Sequence, residues 1–342
     1  MLLTRHAETN DALVLGEIPE PSPGPGEVRV RLAAAALNRL DLFVRNGIPG
    51  VPIALPSVPG ADGCGTIDAV GDGVASWKGG ERVVLQPGLS CGRCEFCSRG
   101  EKSLCVEYRL LGEHLSGTFA EAIVVPAENV FPWPDGLSRE KAAAFPLAGL
   151  TAWRMLMTRA ALRKGESILI HGIGGGVATF ALQNAKLAGA SPIFVTSSDP
   201  KKLERARDLG ADVLIDYRGV DVGKKVREAT GKRGVDVVLD SVGEATWRSS
   251  LVAAAKGGRI VTCGATSGPN PEEEIRFIFW KQLSILGSTM GNDDEFRALL
   301  SAVGSLGIDP VVDAAYPLSE FRSAYERLES GERLGKIVLT VG

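Results

Sequence analysis

A glycine-rich turn between a buried strand and a helix constrains the fold of this chain more than any other feature. The apolar run at 167–171 leads directly into Gly172-Ile173-Gly174-Gly175-Gly176-Val177-Ala178, and residues 177–188 then carry apolar side chains at helical spacing. Glycine lets the chain turn sharply and bring its backbone close to a ligand. The start of the following helix offers free N–H groups and the positive end of the helix dipole. Strand, turn and helix in this order predict a site for the pyrophosphate of a dinucleotide, although Val177 stands where a third glycine is usual.

The chain around this turn alternates regularly between strands and helices. Such alternation requires right-handed crossovers and is typical of a parallel, doubly wound sheet. Two further helices are expected just before the turn, at 137–145 and 150–161. The predicted strands of the sheet are 167–171, 192–196, 213–215, 235–239 and 259–263, and the predicted helices between them are 177–188, 200–209, 222–229 and 247–255.

The first part of the chain follows a different pattern, in which strands and turns prevail. Val28, Val30 and Leu32 alternate with Arg29 and Arg31, as in a strand with one buried face. The end of the chain returns to this pattern, and we expect it to pack on the N-terminal strands. The remaining predicted elements here are strands at 60–70, 119–125, 311–315 and 336–341, a helix at 38–46 ended by Gly47, and a helix at 319–330.

These patterns predict two domains of the α/β class. With 342 residues, the chain is too long for one ordinary core. A β domain would span residues 1–137 and be completed by 305–342, and a dinucleotide-binding domain would span 138–304.

Four cysteines crowd into a lobe at about 88–108. They have the spacing C-x2-C-x2-C-x7-C, and four thiolates so close together can close a tetrahedral zinc site with no open position. An iron–sulfur cluster of the ferredoxin type would favour a final x3-Cys-Pro, and a redox dithiol would need a thioredoxin-like context; both are absent. The sequence therefore predicts one structural zinc, held by Cys91, Cys94, Cys97 and Cys105.

Composition and charge exclude several classes of partner. The formal net charge is −3, which disfavours nucleic acid or an anionic membrane surface. No apolar run reaches the ~18 residues of a membrane span, and the first ten residues do not resemble a secretory signal. We expect a cytoplasmic protein that binds no nucleic acid and no membrane.

The end of the second predicted strand of this domain bears on the choice of nucleotide. Proteins that prefer NAD place an acid here for the ribose 2′-hydroxyl, whereas this chain has Thr196, Ser197 and Ser198. Asp199 precedes Pro200, and this pair fits a helix N-cap. The serines and the following lysines, Lys202 in particular, suit a 2′-phosphate, although the lysines could equally form a solvated helix start. We therefore predict NADP(H).

The cysteine lobe, followed along the chain by the glycine turn, resembles the medium-chain dehydrogenase/reductase superfamily, which includes zinc alcohol dehydrogenases and quinone oxidoreductases. The resemblance covers nearly the whole chain and implies an N-terminal GroES-like β domain joined to a Rossmann domain with a doubly wound parallel sheet. Its further motifs are Gly60-Ala61-Asp62-Gly63-Cys64-Gly65, Gly117-Thr118-Phe119-Ala120-Glu121, Asp240-Ser241-Val242-Gly243 and Gly335-Lys336-Ile337-Val338-Leu339.

Further cofactor contacts are expected from later strands and from the resemblance. Residues that follow strands of a doubly wound sheet line the carboxyl-end crevice. The resemblance puts Lys336 near the cofactor, although a surface position is equally open. The additional cofactor-binding residues predicted here are Thr151, Ser241, Val242, Gly264, Ala265 and Lys336.

The chain departs from the family at the catalytic metal. Members with a catalytic zinc use Cys, His and a third Cys or Asp, and the matching positions here are Asn38, Ala61 and Leu147. A catalytic zinc needs about three protein ligands. Two acids nearby, Asp41 and Asp62, make a poor zinc site without His or Cys. We therefore expect the catalytic zinc to be absent.

Without that metal, reduction of an activated C=C bond or a quinone is the expected chemistry, since the developing enolate needs only hydrogen-bond donors. Asn38 would donate its amide N–H to the substrate oxygen, and Asp41 would orient the neighbourhood or cap the short helix. The alternatives are a zinc-type alcohol dehydrogenase, a reductase of acryloyl thioesters, and a crystallin-like or sensor protein that binds NADPH with little turnover. Residues 284–290 resemble the family's edge strand, so a homodimer or homotetramer is expected.

Overall fold

The computed structural model describes residues 1–342 as two compact units. The first unit comprises Met1–Ala148 with Asn292–Gly342, and the second comprises Gly149–Gly291. The strands are β1 (Leu2–Leu3), β2 (Leu13–Val14), β3 (Glu27–Leu37), β4 (Asp62–Val70), β5 (Arg82–Leu85), β6 (Gly88–Leu89), β7 (Arg109–Leu110), β8 (Ala122–Pro126), β9 (Val130–Pro132), β10 (Ile168–Ile170), β11 (Ile193–Ser197), β12 (Val213–Asp216), β13 (Val235–Asp240), β14 (Ala254–Thr262), β15 (Ser284–Gly287), β16 (Val312–Pro317) and β17 (Lys336–Thr340).

Eleven α-helices accompany these strands, and none of them is long and apolar enough to cross a membrane. They are α1 (Arg39–Asn46), α2 (Glu95–Ser98), α3 (Arg139–Ala144), α4 (Pro146–Trp153), α5 (Gly176–Leu187), α6 (Pro200–Asp208), α7 (Val222–Ala229), α8 (Glu244–Ala253), α9 (Ile275–Lys281), α10 (Asp293–Ser305) and α11 (Phe321–Glu329).

The second unit is built on one six-stranded, fully parallel sheet. Its strand order is β12-β11-β10-β13-β14-β15. Strands β11 and β12 are added on one side of β10, and β13, β14 and β15 on the other, so the order of addition reverses between β10 and β13. Ligands bind at such a reversal, outside the carboxyl ends of the strands. The doubly wound parallel sheet predicted from the alternation is confirmed. Strand β15 lies at the open edge of this sheet.

The first unit is built on a seven-stranded sheet with β3 near its centre. Strand β3 pairs with β4, β8 and β17, all antiparallel. The chain's last strand therefore lies beside its first long strand. In this register Ala36 opposes Asp62, and Leu37 opposes Ile337. The end of β3 and the starts of β4 and β17 consequently meet at one place in the sheet.

Helices α3 and α10 belong to the first unit, beyond the boundaries at 137/138 and 304/305 expected from the sequence. Helix α3 contacts β3 and β4. In α10, the Phe296 ring lies 4.7 Å from the ring of Phe131 and 6.1 Å from that of Phe145. Both helices bury their apolar faces on the first unit's own residues, which explains the different boundaries.

Several predicted elements differ in extent from those of the structure, among them the strand expected at 259–263, which begins at Ala254. The strand expected at 119–125 starts only at Ala122, because the N–H groups of Thr118 and Phe119 donate to Gly60 and Pro59 instead of a neighbouring strand. Gly117 is needed there, since a Cβ atom would lie 2.2 Å from the Gly60 oxygen. The helix expected at 150–161 begins earlier, as α4, and continues as π-helix over Arg154–Arg159.

Candidate functional site

The glycine turn of the second unit has the geometry of a phosphate cradle. Gly172 and Gly174 have φ angles of 67° and 145°, in the region that favours glycine. Gly175 caps the N-terminus of α5, and a Cβ atom placed on it would meet no atom within 4 Å. The space beside Gly175 is therefore open at the start of α5, where the free N–H groups of a helix can bind a pyrophosphate.

The hydroxyl groups of the last two residues of β11 bond to the glycine turn and to the start of the next helix. Thr196 Oγ1 accepts the N–H of Gly172 at 3.0 Å, and Ser197 Oγ accepts the N–H of Asp199 at 3.1 Å. The carboxylate of Asp199 accepts the N–H of Lys201 at 2.8 Å, with Pro200 as the first helical residue. The assignment of Asp199 to the N-cap of α6 is confirmed.

Two residues at the same corner were missed by the sequence reasoning. The Tyr217 hydroxyl donates to Ser198 Oγ at 3.0 Å, and Arg218 pairs with Asp216 through its Nε at 3.0 Å. Both follow β12, whose last residue lies beside Ser197 in the parallel register. The carboxyl ends of adjacent parallel strands meet at one edge, and this rule could have identified them.

The loops after β13 and β14 are shaped by one buried carboxylate. Asp240 Oδ1 accepts the N–H groups of Val242 and Gly243 at 2.9 and 3.0 Å. The second loop is bonded to the first through Ser267, whose hydroxyl donates to the Val242 carbonyl at 2.8 Å. The predicted cofactor residues Ser241, Val242, Gly264 and Ala265 lie in these two loops.

His171 directly follows β10, belongs to the same network and is fully buried. The Ser250 hydroxyl donates its one proton to Asp240 Oδ2 at 2.7 Å, so the imidazole Nε2–H, 3.1 Å away, is the donor to Ser250. Burial lowers the pKa of His171, against the opposing charge of Asp240. His171 is thus a neutral, packed side chain.

We expect His171→Gln to weaken the acid sensitivity of folding. The folded state resists protonation of His171, whereas the unfolded chain takes up a proton below about pH 6.5. Stability from this group is therefore present above that pH and is lost below it, by at most about 1.4 kcal/mol per pH unit. Denaturant unfolding between about pH 5 and 7 measures this slope. His114→Gln, at an exposed position, is the control; parallel profiles for wild type and His171→Gln would contradict the assignment.

Thr151 also lies in the second unit, where its side chain is buried. Its Oγ1 is 3.6 Å from the sulfur of Met290. Met290 has a φ angle of 48°, a left-handed conformation that is uncommon for a residue with a side chain. The contact links the start of the second unit's chain to its end.

A buried polar cluster occupies the meeting point of β3, β4 and β17 in the first unit. Asp62 lies at its centre and is fully buried. Its Oδ2 accepts the Asn38 amide and the Lys336 ammonium, each at 2.8 Å, and its Oδ1 accepts the N–H of Leu147 at 2.7 Å. The Lys336 ammonium also donates to Asn38 Oδ1.

The structure brings together the three positions that match the family's zinc ligands. Asn38 and Leu147 both bond to Asp62, and Ala61 immediately precedes it. The positive charge beside these positions is the ammonium group of Lys336, which bonds to Asn38 and Asp62.

The Asn38 amide is already engaged in this arrangement. Its second contact is with the Ala36 carbonyl at 3.5 Å, in addition to Asp62. The predicted donation of this amide to a substrate oxygen therefore competes with bonds inside the protein.

Asp41 caps helix α1 in the structure. Its Oδ2 accepts the N–H of Asn38 at 2.6 Å. Burial raises the pKa of Asp41 to about 7, although the N–H of Asn38 and the charge of Lys336 act in the opposite direction. Of the two roles considered for Asp41, capping is the one with a direct contact.

The four cysteines of the lobe fit a tetrahedral metal. Their sulfur atoms all lie within 4.8 Å of one another, and Cys94 and Cys91 are 3.5 and 3.9 Å from Cys97. Sulfurs at ~2.3 Å from one zinc ion lie about 3.8 Å apart. The N–H groups of Cys97 and Val106 lower the pKa of the Cys94 thiol to about 6, which favours the thiolate that binds metal.

The other two cysteines lie outside this cluster. Burial raises the pKa of the Cys263 thiol to about 12, and it raises that of Cys64 further. Cys64 is fully buried, as expected of a small core residue, whereas Cys263 is only half-buried.

Two family comparisons cover most of the chain. Residues 24–135 match the alcohol dehydrogenase GroES-like domain, and residues 176–305 match the zinc-binding dehydrogenase family. These segments correspond to the β domain and to the parallel-sheet domain.

Individual proteins are similar to the chain over almost its full length. A zinc-type alcohol dehydrogenase-like protein of Schizosaccharomyces pombe is 35% identical over 320 residues, which are 91% of this chain and 89% of the relative. A solved NAD-dependent alcohol dehydrogenase has a TM-score of 0.95 and 44% identity, over 100% of this chain and 99% of its own. A solved crotonyl-CoA carboxylase/reductase in complex with NADP has a TM-score of 0.92 and 25% identity, over 99% and 94% of the two chains.

Fold, glycine turn, cysteine cluster and relatives agree on one class of enzyme that uses a nicotinamide nucleotide. The chain belongs to the medium-chain dehydrogenase/reductase superfamily of oxidoreductases.

Proposed function

We propose that this enzyme is an NADPH-dependent reductase of activated C=C bonds, in enones and enals, or of quinones, and that it works without a catalytic zinc. The observation that carries the proposal is the buried cluster of Lys336, Asp62 and Asn38, which stands where the family's catalytic metal has its ligands.

The donor set of this cluster does not fit a zinc ion. Asp62 is its central carboxylate, and both of its oxygens already accept hydrogen bonds. The Lys336 ammonium already provides the positive charge beside Asp62, and a dication there would meet like-charge repulsion. Asn38, Ala61 and Leu147 offer no thiolate or imidazole, the ligands that catalytic zinc sites favour. The reaction is therefore derived without a metal.

Bound NADPH supplies a hydride, and the chain must stabilise the negative charge that develops on the substrate oxygen. Lys336 is suited to this task, since two of its three N–H donors bond to Asn38 and Asp62 and a third remains. A preorganised ammonium in a buried site stabilises an enolate oxygen more than water does. Lys336, held by Asn38 and Asp62, thus takes the donor role that the sequence suggested for Asn38.

Asn38 then acts as a positioning residue. Its carbonyl oxygen accepts from Lys336 and its amide donates to Asp62, so it holds the ammonium and the carboxylate in register. Asp41 fixes the backbone of Asn38 by accepting its N–H. The order of importance for turnover is therefore Lys336, Asn38, Asp41.

The preference for NADPH is supported by the corner after β11 and β12. Ser197 and Ser198 stand where an acid would favour NAD, and Lys202 is a basic residue close by in the sequence, whereas Arg218 is already paired with Asp216. The N-cap role of Asp199 engages the acid that follows β11, and the other acid at this corner, Asp216, is paired with Arg218. The similar alcohol dehydrogenase described as NAD-dependent makes the comparison of both nucleotides essential.

Ser198→Asp should shift the preference toward NADH. A carboxylate at this half-buried position repels a 2′-phosphate and can accept from the 2′-hydroxyl of NADH. We expect the ratio of kcat/KM for NADPH to that for NADH to fall by on the order of 10- to 100-fold. Ser198→Asn, of similar size but neutral, is the matched control. An unchanged ratio in Ser198→Asp would remove this corner from nucleotide selection.

The function is tested by NADPH oxidation with quinones, enones, enals, acryloyl and crotonyl thioesters, and aldehydes, repeated with NADH. The proposal predicts that an enone, an enal or a quinone has the highest kcat/KM of the panel. It also predicts that this kcat/KM does not fall after metal chelation that leaves the cysteine lobe intact. Oxidation of simple alcohols that requires a second zinc per chain would instead identify an alcohol dehydrogenase. Nucleotide binding with no turnover across the panel would favour a crystallin-like or sensor protein.

A thioester substrate is the second candidate, favoured by the similarity to the crotonyl-CoA carboxylase/reductase. The chemistry is the same hydride addition to a C=C bond conjugated to a carbonyl. Preference for acryloyl or crotonyl thioesters over enones in the panel distinguishes the two.

A homodimer or homotetramer is part of the proposal. Strand β15 leaves one side unpaired at the edge of its sheet, and Ile285 on it is exposed. An apolar open edge is a template for pairing with another strand, and the same strand of a second copy fits it.

A further inference from the structure

The chain passes between its two units twice, after Ala148 and again after Gly291. At the first crossing, the N–H of Leu147 donates to Asp62 Oδ1 at 2.7 Å, so the chain is bonded there to the buried cluster of the first unit. The second crossing leads into helix α10, and its bonds lead to another part of the first unit. That part is the cysteine lobe.

Helix α10 starts directly at the second crossing. Asn292 is its N-cap, and a capping box fixes the backbone there. The Asn292 side chain accepts the N–H of Glu295 at 2.9 Å, and the Glu295 carboxylate accepts the N–H of Asn292 at 2.7 Å. Asp293 follows as the first helical residue, and its carboxylate bonds to residues that are distant in the sequence.

The Asp293 carboxylate is bonded to the lobe through Lys102. Its Oδ2 accepts the Lys102 ammonium at 2.8 Å, and its Oδ1 accepts the Gln86 amide at 3.3 Å. Lys102 also donates to Glu128 Oε2 at 2.9 Å. The side chains of Lys102 and Asp293 are only 22% and 21% exposed. An ion pair that is shielded in this way is screened less by salt than a pair at the surface.

The backbone of Lys102 is part of the lobe that holds the four sulfurs. Lys102 begins the short turn Lys102–Leu104, and its carbonyl accepts the N–H of Cys105 at 3.0 Å. On the other side, the N–H of Glu101 donates at 2.9 Å to the carbonyl of Phe96, in helix α2 of the lobe. A metal that draws the four sulfurs together therefore also fixes the backbone of Lys102.

Gln86, the second partner of Asp293, lies before the first cysteine of the lobe and is buried. Its N–H donates to the Asn129 carbonyl at 2.9 Å, and its Oε1 accepts the Asn129 amide at 3.0 Å. The same amide donates to the carbonyl of Gly88 at 2.8 Å. The Asp293 carboxylate is thus held from both ends of the lobe, by Gln86 before Cys91 and by Lys102 before the last cysteine.

We propose that the cysteine lobe holds the second crossing of the chain in place through Asp293, and that Lys102 is a positioning residue for turnover. This rests on the proposed function, in which the nucleotide binds at the glycine turn of the second unit and Lys336 of the first unit stabilises the substrate oxygen. Hydride transfer then depends on the segments that join the units, because two reacting groups must be held in a fixed geometry. The structural zinc thereby contributes to turnover from outside the active site.

An ordinary stabilising ion pair is the alternative role for Lys102. A pair of that kind contributes little to stability and has no effect on turnover. The place of the pair favours positioning, since Asp293 is the second residue after the crossing and bonds to Gln86 as well as to Lys102.

The first test is amide hydrogen exchange of the full-length, zinc-loaded protein, measured over residues 288–298. The N–H groups of Asn292, Glu295 and Phe296 are bonded inside the first turn of α10, so their exchange reports the opening of this turn. Lys102→Met removes the ammonium and keeps the apolar part of the side chain. We expect exchange in this segment to become about tenfold faster, with the zinc content of the wild type.

Lys141→Met is the matched control, because it breaks an ion pair of the same unit, with Asp309, beyond the far end of α10. It should leave exchange in the segment unchanged. Loss of the metal should act like loss of Lys102, so replacement of Cys94 and Cys97 by serine is expected to speed exchange in the same segment.

Kinetics separate positioning from stability. Lys102→Met should lower kcat about 3- to 10-fold with little change in nucleotide affinity, since the geometry of the reacting groups is altered and not the binding. Lys102→Arg keeps the charge and should restore most of kcat. Asp293→Asn should reproduce the loss, and the two changes together should lower kcat no more than either alone, as for groups that act as one unit.

Unchanged exchange in Lys102→Met, or equal acceleration in Lys141→Met, would overturn the role of the lobe. Faster exchange with wild-type kcat would make Lys102 a member of a structural ion pair and overturn its positioning role. If the wild type turns over no compound of the substrate panel, the proposed function fails, and hydrogen exchange still decides whether the lobe holds the crossing.

Discussion

Lys336→Met is expected to lower kcat for reduction of the best substrate by about 100- to 1,000-fold, with a much smaller change in affinity for NADPH. This is the loss that follows removal of one preorganised donor to a developing oxyanion. The methionine keeps the length and apolar character of the side chain but removes the ammonium that bonds to Asn38 and Asp62. Steady-state kinetics together with nucleotide titration measure the two effects separately.

Stability must be measured alongside activity, because the variant leaves Asp62 buried without its cation. Breaking a buried pair in this way costs about 3–5 kcal/mol. Lys281→Met is the matched control: this second buried lysine also bonds only to protein groups, the carbonyls at the end of α8. It should lower stability by about 1–3 kcal/mol and leave kcat nearly unchanged.

A Lys336→Met enzyme that is folded and retains wild-type kcat would remove Lys336 from the mechanism. Asn38→Ala refines the assignment, since a positioning residue should lower turnover more than NADPH binding but less than loss of Lys336 itself. Unchanged turnover in Asn38→Ala would exclude Asn38 as well.

Replacing Cys94 and Cys97 by serine is expected to reduce bound zinc from about one ion per chain to almost none. Two ligands are too few for a closed tetrahedral site. Binding of zinc to a four-ligand site has an apparent free energy of about 10–16 kcal/mol in small zinc domains, and this contributes to the stability of the folded lobe. Metal analysis of the purified protein, combined with thermal unfolding, measures both consequences.

The control for the lobe is Cys263→Ser, which replaces a cysteine outside the cluster. It should retain the full zinc content. A zinc content near two per chain in the wild type, or one that persists in the double serine variant, would contradict the assignment of a single ion to the lobe. The first of these results would also reopen the question of a catalytic zinc near Asp62.

Much of the fold follows from local sequence patterns. The parallel sheet was predictable because its buried strands, such as Ile168–Ile170, are short apolar runs between helices with their own caps. The cap at Asp199 was predictable for the same reason, since Asp-Pro is a local signal. The unit to which α3 and α10 belong was not predictable, because neither helix shows a local preference and their contacts with distant residues decide.

The four-cysteine cluster of the lobe was predictable from the sequence alone, since its members lie within fifteen residues and their spacing suits a tetrahedral metal site. The cluster around Asp62 was decided only by the tertiary structure. Lys336 is 274 residues from Asp62, and the two meet because β17 and β4 pair with opposite edges of β3. No local pattern encodes such a contact, because the antiparallel register of three strands brings the Lys336 ammonium to the Asp62 carboxylate. The same carboxylate accepts the Asn38 amide N–H, which the sequence had assigned to the substrate.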